Sequence, residues 1–247
     1  MTGGQARSDG GSEQVSEASY VLIPGAGGNA DYWQWVVPHL RAAGCDVIPV
    51  DLPADDDSAG LAAYRDRVCE AAADVTGPLI LVAQSMGGFT APLVADRRRT
   101  DLIVLLNAMV PAPGESGGQW WHNTGQQRAS AEYMTRIGLN RTKFDFIEDF
   151  FHDVPADVKS VVFSAPEPRQ SDTPFDEPWP LSGWPSVPTR FLQATDDRMF
   201  PVEFQRRVVR ERLGLDIDTM PGGHLVALSR PREVAERLED YRREAGL

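Results

Sequence analysis

Residues 79–88 of the 247-residue chain read LILVAQSMGG, and they carry the clearest prediction of its fold. Its apolar start, Leu79 to Val82, predicts a buried strand, and the residues after the serine can form a helix. A serine at such a sharp strand-to-helix turn has a strained backbone and an exposed hydroxyl, and the residues two before and two after it must be small. Ala83 and Gly87 meet that requirement. The pattern predicts Ser85 as a nucleophile, with a helix-capping serine as the alternative.

A literal Gly-x-Ser-x-Gly motif occurs elsewhere, at residues 114–118 (GESGG). Ser116 in that motif has a Pro-Gly loop before it and a Gly-Gly pair after it, which is typical of a turn with neither a strand nor a helix beside it. A motif string alone is a weak signal, because its meaning depends on the flanking elements. We therefore favour Ser85 over Ser116 as the nucleophile.

The sequence around residues 79–88 alternates short apolar runs with helical periodicity, as βαβ units do. This alternation predicts an α/β fold, with a mostly parallel sheet of about six strands and helices on both faces. The predicted strands are Tyr20–Ile23, Val47–Val50, Leu79–Val82, Leu102–Leu106, Thr189–Leu192 and a short one near Ile217. The predicted helices run from a cap at Asp31 to Gly44, from a cap at Ser58 to Ala73, from Gly87 to Asp96, from Val202 to Arg212, and onward from a cap at Ser229.

The alternation stops at residues 112–184, where helical pieces rich in aromatic residues replace it. An insertion of this length is usually functional. We expect it to be a helical lid over the carboxyl ends of the strands, where open α/β sheets bind ligands. Residues 19–111 and 185–247 form the predicted core, and residues 1–18 form a predicted flexible tail. Substrate contacts are predicted for four aromatic residues of the lid: Trp120, Trp121, Phe150 and Trp179. The alternative is that these residues only pack the lid against the sheet.

One of the four histidines lies in a loop at the predicted carboxyl edge of the sheet. His224 follows the last predicted strand, and histidine is the usual base that activates a serine near neutral pH. In folds that hold a serine at such a strand-to-helix turn, the acid that orients the base lies between the nucleophile and the histidine in the chain. Asp196 and Asp197 come just after the strand that begins at Thr189, and one of them is the predicted acid.

Attack on a carbonyl group builds negative charge on its oxygen, which needs preorganised hydrogen-bond donors. We predict two backbone amides for this oxyanion hole. One belongs to Met86, at the start of the helix after the nucleophile. The other belongs to Ala26, in the glycine-rich loop after the first strand. The alternative is that this loop is an ordinary glycine-rich turn. The sequence contains no dinucleotide-binding or phosphate-loop motif, and we expect no cofactor and no metal.

The net charge of −12 disfavours nucleic-acid and anionic-membrane partners, because both require basic patches. No apolar stretch approaches the roughly 18–20 residues of a membrane span. Cys45 and Cys69 lack metal-ligand spacing and are predicted to be buried thiols, which suits a reducing cytosol. We expect a cytoplasmic protein that acts on a small-molecule substrate, with a homodimer as a possible assembly.

Several motifs taken together are characteristic of one family. They are Pro24-Gly25-Ala26 with the aromatic residues Tyr32, Trp33 and Trp35, the turn at residues 84–88, the segment LNAMVP at 106–111, the acidic loop DDRMFPVEFQ at 196–205, and Gly222-Gly223-His224. In these motifs the chain resembles the plant methylesterase and hydroxynitrile lyase branch of the α/β-hydrolases, and more closely the bacterial relatives of that branch. The resemblance extends over about Tyr20 to Tyr241 and is weakest in the insertion.

The resemblance implies which aspartate is the acid, because the family places it four residues before the proline of the acidic loop, at Asp197. The chain departs from the family at Pro24, where a histidine is usual. Leu225 follows His224 with no lysine nearby, whereas hydroxynitrile lyases carry a lysine that stabilises cyanide. We therefore predict hydrolysis of a carboxylic ester of a small, largely apolar substrate through an acyl-enzyme. The alternatives are a thioester, lactone or carbon–carbon bond hydrolase with the same triad, and a non-catalytic small-molecule receptor.

Overall fold

A computed structural model gives the structure of residues 18–139 and 144–247. Those residues form one sheet of six parallel strands in the order β2-β1-β3-β4-β5-β6, which confirms the predicted fold class. Every predicted strand is present, with ends that differ by one or two residues, as strand ends often do. The strands are β1 (Ser19–Ile23), β2 (Asp46–Pro49), β3 (Leu79–Gln84), β4 (Leu102–Leu106), β5 (Thr189–Ala194) and β6 (Asp218–Met220).

Eleven α-helices lie in the described residues: α1 (Val37–Ala42), α2 (Leu61–Ala71), α3 (Gly87–Arg97), α4 (Gly117–Asn123), α5 (Gln126–Arg136), α6 (Phe146–Phe150), α7 (Ala156–Val162), α8 (Thr173–Asp176), α9 (Val202–Leu213), α10 (Val226–Ser229) and α11 (Pro231–Glu244). Helices α2, α3 and α9 pack on one face of the sheet through residues such as Leu61, Phe89 and Val208. Helices α1 and α11 pack on the other face through Leu40 and Leu238. Because both faces are covered, β1, β3 and β4 are buried along their whole length.

The strand order places the carboxyl ends of several strands around one crevice. From β1 the chain runs outward to β2 and then crosses back to β3 on the other side of β1. Ligands bind at such switch points in open α/β sheets, because the loops there diverge. Residues 24–28 follow β1 and Ser85 follows β3, so both border this crevice. Asp197 and His224 follow β5 and β6, and parallel strands place them at the same edge.

The insertion of residues 112–184 lies between β4 and β5 and carries helices α4 to α8. Contacts with the core anchor it at both ends. Near its start, Glu115 pairs with Arg212 of α9 at 2.5 Å. Near its end, the indole Nε1 of Trp179 donates a hydrogen bond to the carbonyl oxygen of Phe89 at 3.1 Å. Of the predicted tail, only Ala18 lies within the described residues, and it is buried.

Two predicted helix starts near the first strands are wrong. A 3-10 helix at Ala30–Trp33 precedes α1, and the side chain of Asn29, not Asp31, caps it by accepting from the Asp31 amide at 2.7 Å. Helix α2 starts at Leu61 instead of after Ser58. The carboxylate of Glu177, from the insertion, accepts a hydrogen bond from the Leu61 amide at 2.7 Å. A carboxylate at this position satisfies a free amide and complements the helix dipole, so a distant residue replaces the local cap.

The last predicted helix start is also wrong. Ser229 ends the short helix α10 instead of capping α11, and Arg230 is the residue that precedes α11. The chain bends between the two helices at Arg230, whose backbone is not helical. Pro231 occupies the first turn of α11, as predicted, where its missing amide proton costs no hydrogen bond.

The two cysteines are not joined by a disulfide, in agreement with the predicted thiols. Cys45 is buried as predicted, whereas Cys69 is partly exposed on α2. Among residues 18–139 and 144–247, none of the helices combines the length and the apolar character needed to cross a bilayer.

Candidate active site

The turn between β3 and α3 gives Ser85 a strained backbone. Its φ of +50° lies in the left-handed region, which non-glycine residues rarely adopt. A Cβ atom on Gly87 would lie 2.8 Å from the carbonyl oxygen of Pro24, and one on Gly88 would overlap the carbonyl oxygen of Met109. Both positions therefore require glycine for close packing around the turn. The strand, the turn and the helix follow the arrangement predicted for residues 79–88.

The structure brings the three residues of the predicted triad together. The Oγ atom of Ser85 lies 3.1 Å from Nε2 of His224. On the other side of the ring, Nδ1 of His224 lies 2.8 Å from Oδ2 of Asp197. The exposed fractions of His224 and Asp197 are 2% and 0%, so this contact is shielded from water. A carboxylate accepts from a protonated Nδ1, which leaves Nε2 able to accept the serine proton.

The two candidate acids differ in their surroundings. The Oδ1 atom of Asp197 accepts hydrogen bonds from the amides of Met199 and Phe200, each at 2.8 Å. Its Oδ2 atom also accepts from Nε2 of Gln193 at 3.2 Å. Asp196 is exposed, and its carboxylate accepts from the amide of Gly222 at 3.2 Å. Asp197 is therefore the aspartate in contact with the imidazole. Asp196 instead binds the backbone at Gly222, two residues before His224.

Sequence reasoning missed the role of Asn107, which follows β4 and holds the loop of residues 222–224, called the histidine loop. Its Nδ2 atom donates to the carbonyl oxygens of Gly223 and His224 at 3.1 and 2.9 Å. Its Oδ1 atom accepts from the amide of Ala194 at 2.7 Å. The φ of Asn107 is +46°, a conformation that asparagine tolerates better than most residues. An asparagine directly after a fully apolar strand was the available signal.

Gln84, the last residue of β3, is a second contact that the sequence did not reveal. Its Nε2 atom lies 3.3 Å from Nε2 of His224 and donates to the His224 carbonyl oxygen at 3.4 Å. The side chain is buried, and a Cβ atom on Gly25 would overlap its Oε1 atom. Gln84 thus fills the space between the histidine and the loop after β1.

The two predicted oxyanion donors belong to segments next to Ser85. Met86 follows it in the chain. A Cβ atom on Gly25 would lie 2.9 Å from Cβ of Ser85, so the loop containing Ala26 touches the serine. Within the described parts of the chain, neither the Met86 amide nor the Ala26 amide donates a hydrogen bond to another residue. Both amides are therefore free to bind a ligand oxygen.

The four predicted substrate-contacting aromatic residues occupy different environments. Trp120 and Trp179 are fully buried, with exposed fractions of 0% and 1%, which fits the alternative that they pack the insertion against the core. The ring of Phe150 lies 5.1 Å from the imidazole of His224, centroid to centroid. Trp121 is partly exposed and lines a cavity of about 530 Å³. Only Phe150 touches the triad directly among these four.

Phe200 is a further aromatic neighbour of the histidine that the sequence did not single out. Its ring meets the imidazole of His224 edge-on, with centroids 5.1 Å apart. Tyr32 is another aromatic residue, and the charge of Asp197 acts on its hydroxyl. Burial, with the charges of Asp197 and Asp153 adding to it, raises the pKa of the Tyr32 hydroxyl above its usual range. The phenol is therefore neutral beside these carboxylates.

Ser116 has a structural role instead of a catalytic geometry. Contrary to the sequence expectation, a helix follows it: Ser116 caps α4 by accepting from the amide of Gln119 at 3.2 Å. The Gln119 side chain accepts from the Ser116 amide in return at 3.1 Å, which completes a capping box. The literal motif at residues 114–118 is thus a helix start.

Replacing Trp120 with alanine should lower the free energy of unfolding by about 3–5 kcal/mol, because it removes a fully buried indole and leaves a cavity. The indole Nε1 donates to the Val110 carbonyl oxygen at 2.9 Å, and the ring packs against Phe200 and Phe204. Urea unfolding of the variant measures the change. The matched control is Trp121→Ala, which should cost less because Trp121 is partly exposed. Equal losses for the two variants would contradict this assignment.

Comparison with known proteins places this geometry in context. The family described as "Alpha/beta hydrolase family" matches residues 20–237. A pyrethroid hydrolase of Sphingobium wenxiniae is 25% identical over 246 residues, covering 90% of this chain and 86% of that protein. A protein of Oryza sativa subsp. indica named "Probable esterase PIR7A" is 28% identical over 254 residues, covering 89% of this chain and 94% of that protein.

A solved structure has the same fold. The crystal structure of a pyrethroid hydrolase from Sphingobium faniae has a TM-score of 0.72 with this chain at 23% identity. The superposition covers 91% of this chain and 96% of that chain. The match therefore extends through the insertion as well as the sheet.

Proposed function

The chain belongs to the alpha/beta hydrolase family, and we propose that it hydrolyses carboxylic esters of small, largely apolar molecules through an acyl-enzyme on Ser85. The observation that carries this proposal is the continuous contact from the Ser85 hydroxyl to the His224 imidazole and on to the Asp197 carboxylate. Nucleophile, base and orienting acid in mutual hydrogen-bond reach are the arrangement that activates a serine. The proposed steps use no cofactor.

In the first half of the reaction, Nε2 of His224 takes the proton of the Ser85 hydroxyl as its oxygen bonds to the ester carbonyl carbon. The carbonyl oxygen becomes negative and accepts hydrogen bonds from the amides of Ala26 and Met86. The bond to the alcohol oxygen then breaks, and the imidazolium returns its proton to that oxygen. The alcohol leaves, and the acyl group remains bound to Ser85.

In the second half, a water molecule gives a proton to Nε2 of His224 and attacks the acyl carbon. The same two amides stabilise the second oxyanion. When the bond to Ser85 breaks, the imidazolium protonates the serine oxygen and the carboxylic acid is released. Asp197 holds the ring in the reactive tautomer throughout and stabilises the imidazolium that forms in each half.

The substrate class rests on the surroundings of the triad and on the relatives. Phe150 and Phe200 place apolar rings against His224. We propose that residues 112–184 act as the lid of this site. A pyrethroid hydrolase and a protein named as a probable esterase among the relatives support an ester as the bond that is cleaved.

A panel of p-nitrophenyl esters of increasing acyl length tests the proposal, with Ser85→Ala as the control. The wild-type protein should release p-nitrophenol with an initial burst, because acyl-enzyme accumulates before deacylation, and the variant should not. Turnover of thioesters or lactones without turnover of esters would reassign the bond but keep the triad. Tight binding of a small molecule without any turnover would favour a receptor.

Lowering the pH should reduce ester hydrolysis, because the base must be neutral to accept the serine proton. The expected sign is loss of activity on acidification, as His224 becomes protonated and Nε2 can no longer accept. A profile of kcat/KM against pH measures this. Activity that stayed level well into the acid range would contradict a histidine base.

A further inference from the structure

Two side chains of the insertion accept hydrogen bonds from backbone amides next to the catalytic elements. The Oε1 atom of Gln170 accepts from the amide of Gly27, which follows Ala26, at 2.8 Å. The Oδ2 atom of Asp153 accepts from the amide of Gly223, which precedes His224, at 2.7 Å. We propose that Gln170 and Asp153 are positioning residues. Through them the insertion holds two loops in their reactive geometry: the loop of residues 24–28 after β1, which we call the oxyanion loop, and the histidine loop. This inference rests on the proposed hydrolase function.

The orientation of the Gln170 side chain is fixed by its other contacts. Its Nε2 atom donates to the Tyr64 hydroxyl at 3.1 Å and to the Ser171 carbonyl oxygen at 2.7 Å. Because a carbonyl oxygen requires a donor, the amide nitrogen must face Ser171 and the amide oxygen must face Gly27. The acceptor at Gly27 is therefore held in place.

Gly27 depends on this contact because its conformation is unusual. Its φ of +86° is in the range that favours glycine, and a Cβ atom there would lie 3.2 Å from the ring of Pro168. A flexible residue next to an oxyanion donor needs an external partner to fix the direction of the neighbouring Ala26 amide. Gln170 is that partner in the described residues.

The segment that carries Gln170, residues 168–173, is itself tied to the core, and we call it the strap. The amide of Ser171 donates to the Ala54 carbonyl oxygen at 2.7 Å, and the Thr173 hydroxyl donates to the Asp57 carbonyl oxygen at 2.7 Å. Both partners lie in the loop between β2 and α2. The strap therefore connects the loop between β2 and α2 to the oxyanion loop. Its contacts with the first loop hold Gln170 in position to bind the Gly27 amide.

Asp153 and Asn107 contact different backbone groups of the histidine loop. Asn107 binds the carbonyl oxygens of residues 223 and 224, and Asp153 binds the amide of residue 223. A Cβ atom on Gly223 would lie 2.5 Å from Oδ1 of Asp153 and 2.7 Å from Nε2 of His152, so the loop is pressed closely against the insertion. Asp153 is partly buried, and a hydrogen bond from an amide to a carboxylate is stronger than one between neutral groups.

Three variants test the inference with p-nitrophenyl butyrate as the substrate. Gln170→Met and Asp153→Leu remove the acceptor oxygen at similar size, and Asp153→Asn keeps an acceptor. We expect kcat per titrated active site to fall roughly 10- to 100-fold in Gln170→Met and Asp153→Leu, because small displacements of reacting groups have effects of this order. KM should change by less than about 3-fold in both, and Asp153→Asn should stay within about 3-fold of wild type, since the acceptor is retained.

Titration with a fluorophosphonate gives the fraction of molecules with a reactive serine. This fraction distinguishes a loss of positioning from a loss of folded protein. Misfolding would lower the titrated fraction and leave kcat per titrated site unchanged, which would overturn the inference if it were the sole effect. Ser160→Ala removes an exposed hydroxyl that donates to the Ala156 carbonyl oxygen within α7, outside the strap and both catalytic loops, and its kcat should match wild type. Unchanged kcat in both Gln170→Met and Asp153→Leu would also overturn the inference. The proposed function would still be supported in that case, provided that the wild-type enzyme hydrolyses the ester. A wild-type protein with neither turnover nor labelling would reject both.

Discussion

Replacing Ser85 with alanine should reduce kcat/KM for p-nitrophenyl ester hydrolysis by about 10⁴-fold or more, because the variant has no oxygen to form the acyl-enzyme. The remaining rate would come from substrate binding and the oxyanion donors acting on water. The fold should be retained, since alanine removes a single oxygen atom from a partly exposed side chain. Steady-state kinetics of the purified variant, with circular dichroism to check folding, measure the effect.

The matched control for this result is Ser116→Ala. Ser116 lies in the literal sequence motif, but its hydroxyl caps α4. The control should keep wild-type kcat and lose stability by about 1 kcal/mol, the usual effect of removing a serine cap. Wild-type activity in Ser85→Ala, or its loss in Ser116→Ala, would move the nucleophile to the other motif.

Replacing Asp197 with asparagine should lower kcat by a factor of about 10⁴, because an amide in this position favours the wrong imidazole tautomer. Asp197 has an exposed fraction of 0%, and its Oδ2 atom lies 2.8 Å from Nδ1 of His224. An asparagine nitrogen facing Nδ1 would donate to it and place the ring proton on Nε2. That atom could then no longer accept the serine proton. The kcat of the variant with a short-chain p-nitrophenyl ester measures this loss.

Asp196→Asn is the control one residue away. Asp196 is exposed and contacts the amide of Gly222, and asparagine can still accept that hydrogen bond. Its activity should remain within a few-fold of wild type. A large loss in Asp196→Asn with little loss in Asp197→Asn would transfer the role of the acid by one position.

The sheet and the turn at Ser85 were predictable because local signals agree with the fold there. Apolar runs bounded by Gly and Pro predict buried parallel strands, and small residues around Ser85 satisfy the packing of the turn. Parallel strands then bring residues that follow different strands to one edge. The meeting of Ser85 and His224, which are far apart in the chain, follows from that geometry.

The parts that sequence reasoning missed depend on contacts between distant segments. The start of α2 depends on a carboxylate of Glu177, and no local pattern near Leu61 reveals it. Asn107 and Gln84 hold the histidine loop through side chains whose partners lie more than a hundred residues away. The sequence shows that the insertion is rich in aromatic residues but not which of them face the site. Tertiary packing decides that Trp120 is buried and that Phe150 lies beside His224.

The most direct test of the proposed mechanism is to label the protein with a fluorophosphonate and map the modified peptide. Trypsin separates the two candidate serines, because Ser85 lies in residues 68–97 and Ser116 in residues 100–128. We predict a single phosphonylated site, at Ser85, and no labelling in a His224→Ala variant over the same time. Modification of the peptide containing Ser116, or an unlabelled wild-type protein, would contradict the assignment of Ser85 as an activated nucleophile.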